Sequence, residues 1–319
     1  MLVPMFFAVS GFLVTGSAFR TQSLKTFLIF RLLRILPALT TEVFLSALIL
    51  GPILTTVSLH DYFSDPWFFK YFGNIAGRVW MLLPGVFMTN PAAGAVNVNL
   101  WTLPSEFYCY LIIAVLLVTG LLARRAIFSF VFAISTVCLV TLNLADSPSI
   151  QEISLGFGLS KTLLVYYFFC GCLIYHWKDR VPFHGGLFAI SCALSYFLYV
   201  AKLVYIAPLF VSYIIIYIGM IKFPRIELIQ RGDYSYGVYL YGFPIVQSVI
   251  CLFPNMIGHG WWVLCTAGSL TFLFAVMSWH LIEKPTLSLK KFFASRPALA
   301  TETETVPAAH SGVKARASF

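Results

Sequence analysis

The sequence predicts an all-α, polytopic membrane protein, a transmembrane helical bundle of about nine spans. Three observations carry this. The 319 residues are 60% hydrophobic with a mean hydropathy of +0.87. Only 10% are charged, against about 25% in soluble domains. Apolar stretches of about 18 residues recur, the length a helix needs to cross ~30 Å of hydrocarbon. A β-barrel would alternate apolar and polar residues, whereas these segments are apolar all round.

The spans fall at 2–19, 35–54, 101–119, 126–143, 162–176, 184–200, 205–221, 234–253 and 261–282. Two of them, 162–176 and 184–200, are short enough to be tilted or partly re-entrant. Residues 55–100 form a long connection rich in aromatics, among them Trp67, Phe68, Phe69, Tyr71, Phe72 and Trp80. Trp and Tyr favour the headgroup zone, so a short interfacial or re-entrant helix belongs there. Near residue 295 the composition turns to Ala, Thr, Glu, Pro and Ser, which reads as a disordered tail. The division is therefore a membrane-embedded unit, 1–294, and a tail, 295–319. The sequence shows no internal repeat.

The net charge of +9 is distributed by topology. Seventeen of the 21 Lys and Arg residues, starting with Arg20, Lys25, Arg31 and Arg34, fall in alternate connections and the C-terminal stretch. Only Lys70, Arg78, Lys161 and Lys202 fall on the other side. Cytoplasmic loops carry the positive excess, so the 20–34 connection and the C-terminus are expected inside, with the N-terminus outside. The charge needs no nucleic acid. All seven cysteines lie in apolar segments, as small buried thiols do, rather than in disulfide or zinc-binding loops.

Several polar residues interrupt the apolar segments. Arg31 and Arg34 are spaced i, i+3 and share a helical face. Guanidiniums so placed can hold phosphates by forked hydrogen bonds, or simply anchor the inner end of the span. Pro104 suits a helix start, and Glu106 follows it at the membrane edge. An ionisable residue there faces a cavity or a partner, although helix-end electrostatics would also favour it. Glu42 lies two turns beyond Arg34 and lines a tunnel or pairs with another helix. Ser10-Gly11-Phe12 sits mid-span, where small residues let a helix or a ligand chain approach. Asp233 opens the eighth span as a cap or donor contact. His280 and Glu283, i, i+3 on the last span, are too few for zinc, and no metal site is expected.

Five blocks occur in one order: Phe6–Phe12; Phe30–Pro37 (Phe-Arg-Leu-Leu-Arg-Ile-Leu-Pro); Asn99–Tyr108 (Asn-Leu-Trp-Thr-Leu-Pro-Ser-Glu-Phe-Tyr); Gly232–Leu240; and His280–Pro285. In this order they resemble the integral-membrane acyltransferase 3 family, bacterial proteins that O-acylate cell-envelope and exported glycans, over roughly residues 5–290. The resemblance implies acyl transfer from cytoplasmic acyl-CoA, most simply acetyl-CoA, to a hydroxyl of an extracytoplasmic glycan such as exopolysaccharide or lipopolysaccharide. It implies acyl-CoA as co-substrate with no bound cofactor. The implied partners are acyl-CoA, a glycan or lipid-linked sugar and the bilayer, without nucleic acid; the oligomeric state stays open. On this reading Glu106 is catalytic, and Arg31, Arg34 and Ser10 bind acyl-CoA. Trp101 and Tyr108 lie on the acceptor side, while Glu42, Ser235 and Tyr239 line the tunnel or touch the donor.

The family has ten core helices, the first bearing an Arg and a catalytic His. None of the six histidines, at 60, 176, 184, 259, 280 and 310, lies in a matching motif. Either an upstream segment supplies that helix or the chain lacks that base; the reading favours the first, and expects residues 1–319 to bind donor and transfer poorly. A glycan or lipid transporter is the rival class, but it predicts repeat symmetry. A non-catalytic scaffold leaves Arg31, Arg34 and Glu106 unexplained together.

Overall fold

The computed structural model describes residues 2–21, 23–144, 160–201, 203–221 and 232–293. The expected tail at 295–319 and the basic residues Lys202, Lys222, Arg225 and Arg231 lie outside the described residues. Nine long helices occur among those described: α1 (Leu2–Thr21), α2 (Leu24–Leu45), α3 (Leu103–Val118), α4 (Arg125–Leu144), α5 (Lys161–Trp177), α6 (Gly185–Val200), α7 (Ala207–Met220), α8 (Ser235–Leu252) and α9 (Gly260–Ser278). No strand is present among the described residues; two isolated bridges, Thr55 with Val86 and Leu82 with Ala95, pin the long connection. Six helical runs are long and apolar enough to cross a bilayer, those containing α1, α2, α3, α4, α8 and α9. The other three have 17, 16 and 14 residues.

α2 starts at Leu24, eleven residues before the expected span at 35. The hydropathy pattern hides its first turns, because Lys25, Arg31 and Arg34 interrupt it. Ser23 caps the helix, its side chain accepting from the Thr26 N–H. Beyond Leu45 the helix widens into one i→i+5 turn over Ser46–Leu50 and then runs on to Leu54. α9 widens in the same way over Trp279–Glu283 and continues through Lys284–Ser288 and Lys290–Phe293. Such wide turns rotate the side chains that follow them, and here one delivers Glu283 into the bundle.

α1 and α5 form the tightest pair. A Cβ on Gly11 would lie 1.9 Å from the Phe168 carbonyl oxygen, and one on Gly171 would lie 1.9 Å from that of Ala8. Only hydrogen fits at either crossing. Contacts advance together from Ala8–Gly171 to Phe19–His176, so the helices run in the same direction. α8 and α9 run antiparallel, with Tyr234 near Trp279 and Gly237 against Ala275. Cys109, Cys170 and Cys172 are buried thiols as expected, but Cys192 and Cys251 are half-buried and Cys138 and Cys265 exposed on apolar helices; none of the seven is disulfide-bonded.

The connection between α2 and α3 holds two short helices, Leu59–Ser64 and Pro66–Tyr71, with Trp67 and Phe69 exposed. Residues 90–99 then fold back against α8, and three asparagines fasten them. Pro244 lacks the N–H that would bond the Leu240 carbonyl; Asn97 Nδ2 bonds it instead at 2.9 Å. Asn99 Nδ2 donates to the Tyr239 carbonyl at 2.7 Å, and Asn90 Nδ2 to the Gln247 carbonyl at 2.8 Å. Gln247 answers through Nε2, donating to the carbonyls of Ala92 and Ala95. This lining carries the chain into the start of α3, where Glu106 sits in the first turn.

Candidate active site

The centre of the bundle gathers four side chains from three helices. Tyr110 donates from its hydroxyl to Glu106 Oε1, one helical turn away on α3. The Ser10 hydroxyl of α1 lies beside the same phenol. The Arg31 guanidinium of α2 stands over the Tyr110 ring, 5.9 Å from its centroid, and at the same distance from the Phe27 ring. Both are within cation–π range. Arg31 Nη2 donates to Ser17 Oγ at 3.0 Å, while its Nε is buried without an acceptor among the described residues. Glu106 lies within electrostatic reach of both Arg31 and Arg34.

Arg34 is bound differently from Arg31. Its Nη1 donates to Glu283 Oε2 at 3.0 Å and its Nη2 to Asp233 Oδ2 at 2.6 Å. One guanidinium thus ties α2 to the start of α8 and the end of α9, with its plane 5.6 Å from the Tyr236 ring. Glu283 is 2% exposed and also accepts from Ser278 Oγ at 3.1 Å. The i, i+3 spacing does not send the two arginines to one partner; Arg31 meets Ser17 and Tyr110, and Arg34 meets Asp233 and Glu283.

On the other flank of Glu106 stand Tyr236 and Tyr239 of α8. Tyr236 donates to the Ile35 carbonyl at 3.1 Å. Tyr239 bonds the Asn99 carbonyl and the Thr102 hydroxyl. Polar groups therefore follow one another from Arg31 through Tyr110 and Glu106 to Tyr239, Thr102 and Asn99.

Glu42 belongs to a neighbouring cluster. It is 1% exposed, and its Oε1 accepts from Ser46 Oγ at 2.8 Å and from Asn97 Nδ2 at 2.9 Å. Its Oε2 and the Tyr71 hydroxyl have no partner among the described residues. Ser235 is exposed and donates to Asp233 Oδ1 at 2.6 Å, the helix-start role. Trp101 is buried at the entry to α3, whereas Tyr108 is 59% exposed on the outer face of that helix. The structure thus gathers Ser10, Arg31, Glu106 and Tyr239 around the line, sets Arg34 and Glu42 beside it, and leaves Tyr108 and Ser235 outside. Tyr110 is the residue that sequence reasoning passed over. It is four residues from Glu106 and so on the same helical face, whereas Tyr108, two residues on, points away.

Histidines do not join the group among the described residues. His176 packs between the rings of Phe19 and Phe128, with its Nε2 unpartnered, and His60 is exposed on the long connection beside Asp61. No three His, Cys, Asp or Glu side chains form a metal-binding group among the described residues.

Comparison with known proteins agrees with the motif order. Residues 1–280 match the Acyltransferase domain family, acyltransferase 3. Nodulation protein 10 of Rhizobium leguminosarum bv. viciae is 28% identical over 323 residues, covering 92% of this chain and 84% of that protein. The O-acetyl transferase of Shigella phage Sf6 is 29% identical over 293 residues, 88% of this chain and 83% of its own. No solved structure matches the chain. With most of its length inside the family's domain and a polar line threading its apolar helices, the chain belongs to the acyltransferase 3 family of multi-pass membrane proteins, O-acyltransferases that transfer groups other than aminoacyl groups.

Proposed function

We propose that this protein moves an acyl group, most simply acetyl, from cytoplasmic acyl-CoA to a hydroxyl of an extracytoplasmic glycan, in a bacterial inner membrane with its C-terminus in the cytoplasm. The observation that carries the reading is the polar line from Arg31 to Asn99, which joins a basic end to the end stitched to the long connection. α5, α6 and α7, tilted or locally thinning the bilayer, complete nine spans in this reading. The basic end keeps the polyanionic nucleotide of the donor outside the hydrocarbon, and Arg31 supplies N–H donors there. Ser10 and Tyr110 stand beside Glu106, where the thioester would have to arrive.

The transfer balances without any further reactant. The acceptor hydroxyl oxygen attacks the thioester carbonyl carbon, a C–O bond forms and the C–S bond breaks. With no histidine in the group among the described residues, Glu106 accepts the hydroxyl proton at a low rate, and that proton leaves on the CoA sulfur. Tyr110, bonded to Glu106, holds the carboxylate in the path. Trp101 and Tyr239 stand on the acceptor side, and Glu42 fixes the loop that frames it through Asn97.

Acyl transfer from labelled acetyl-CoA to a glycan of the same cells, with wild type and Glu106→Gln in lipid nanodiscs, tests the reading. Label in wild type and its loss in Glu106→Gln, with donor binding retained, support it. Equal transfer by both overturns the role of Glu106, and absence of CoA binding by the wild type overturns the donor.

A further inference from the structure

Asp233 and Glu283 both go to the same cation. Arg34 takes Asp233 and Glu283, so its charge is matched and its fork is filled. Arg31 is bonded to a neutral serine and to no carboxylate, and its Nε is buried without an acceptor among the described residues. A third cation stands in the same place. The helical continuation of α9 runs on antiparallel along the first turns of α2, where Thr26 Oγ1 donates to the Phe293 carbonyl at 3.3 Å. This lays Lys290 over the Phe30 ring, its Nζ 5.3 Å from the centroid and within electrostatic reach of Arg31 and Arg34. Lys290 has no carboxylate partner among the described residues.

Like charges brought together in a partly buried place repel. A guanidinium N–H left without an acceptor is costly as well. Both penalties vanish when one oxyanion sits between the two groups. A phosphate ester offers the acceptor oxygens that a planar guanidinium and a lysine ammonium each bind.

We propose that Arg31 and Lys290 are the pair that grips a phosphate of the donor, and that Arg34 is the strut that holds α2, α8 and α9 in place around it. This rests on the acyl-CoA reading above and divides its basic end into a binding part and a structural part. The same chemistry would suit the phosphate of an anionic lipid of the inner leaflet, so the test separates the two sources.

Binding of CoA and of pantetheine, which lacks the phosphates, is measured by calorimetry on the full chain in phosphatidylcholine nanodiscs. Lys290→Ala weakens CoA about tenfold, the size of one charge-assisted hydrogen bond, and leaves pantetheine unchanged. Lys290→Arg restores most of the affinity, and Arg31→Gln behaves as Lys290→Ala does. Wild-type CoA affinity in Lys290→Ala overturns the proposal, as does an equal loss for pantetheine. A Lys290→Ala defect confined to retention of phosphatidylglycerol in mixed nanodiscs assigns the lysine to a lipid headgroup and overturns it too. Wild type that binds no CoA at all refutes the donor reading itself, a result distinct from the other three.

Discussion

Arg34 makes two ion pairs of similar geometry and unlike burial, and the difference in their worth can be worked out. Glu283 is 2% exposed and 3.0 Å from Nη1; Asp233 is 53% exposed and 2.6 Å from Nη2. At 3.0 Å and an effective dielectric near 20 the Coulomb attraction is about 5.5 kcal/mol, much of it offset by the desolvation of Glu283. Removing the arginine, however, strands that carboxylate inside the bundle, which costs ~3–5 kcal/mol. The exposed pair is screened by solvent and contributes ~0.2–1 kcal/mol. Arg34→Ala should therefore destabilise by ~3–5 kcal/mol and Asp233→Asn by less than ~1 kcal/mol. Adding Glu283→Gln to Arg34→Ala should recover part of the loss, because no charge is then left unpaired. Thermal unfolding in nanodiscs, followed by tryptophan fluorescence, reads this at roughly 2 °C per kcal/mol. Equal shifts for Arg34→Ala and Asp233→Asn, or a double variant worse than Arg34→Ala alone, would show that the buried pair is worth no more than the exposed one.

At the α1–α5 crossing, Gly11→Ala and Gly171→Ala each drive a methyl into a backbone carbonyl. Each should cost ~1–3 kcal/mol, seen as a lower melting temperature, and wild-type melting would contradict the close packing. Asn97→Ala frees the buried Leu240 carbonyl and one lone pair of Glu42. It should destabilise by ~1–3 kcal/mol and raise hydrogen exchange in residues 90–99, with protection unchanged if the loop is held otherwise. In transfer assays Glu106→Gln should lower kcat by ~10²–10⁴. Tyr110→Phe, which keeps the carboxylate and loses only its tether, should lower kcat less, and the reverse order would shift the acid–base role to the tyrosine.

Much of this architecture is legible in the residues. The hydrophobic runs carry the spans, since bilayer thickness sets helix length independently of tertiary contacts. Arg31 and Glu106 stand out because charge in apolar surroundings is rare, and the fold brings them together. The start of α2 is harder to read, because the cations that make it useful break the hydropathy pattern that would reveal it. Tyr110 could have been found from its four-residue spacing to Glu106; the block that displays Tyr108 draws attention to the wrong face. Lys290 could not be found that way. It reaches Arg31 only because the helix continuing past the wide turn at Trp279–Glu283, pinned by the Arg34–Glu283 pair, runs alongside α2, and one chain's sequence holds no local trace of that. The same is true of Asn97, whose partner carbonyl is freed by a proline 147 residues away.

Sided transfer in proteoliposomes decides which face of the bundle meets the donor. Labelled acetyl-CoA is supplied either to the face bearing Arg34 or to the face bearing Lys70, with glycan acceptor on the opposite face, and the orientation is fixed by cysteine labelling. Label should enter the glycan when donor meets the Arg34 face and not when it meets the Lys70 face. Transfer from donor on the Lys70 face, or equal transfer from both, would contradict donor entry at the Arg34 face.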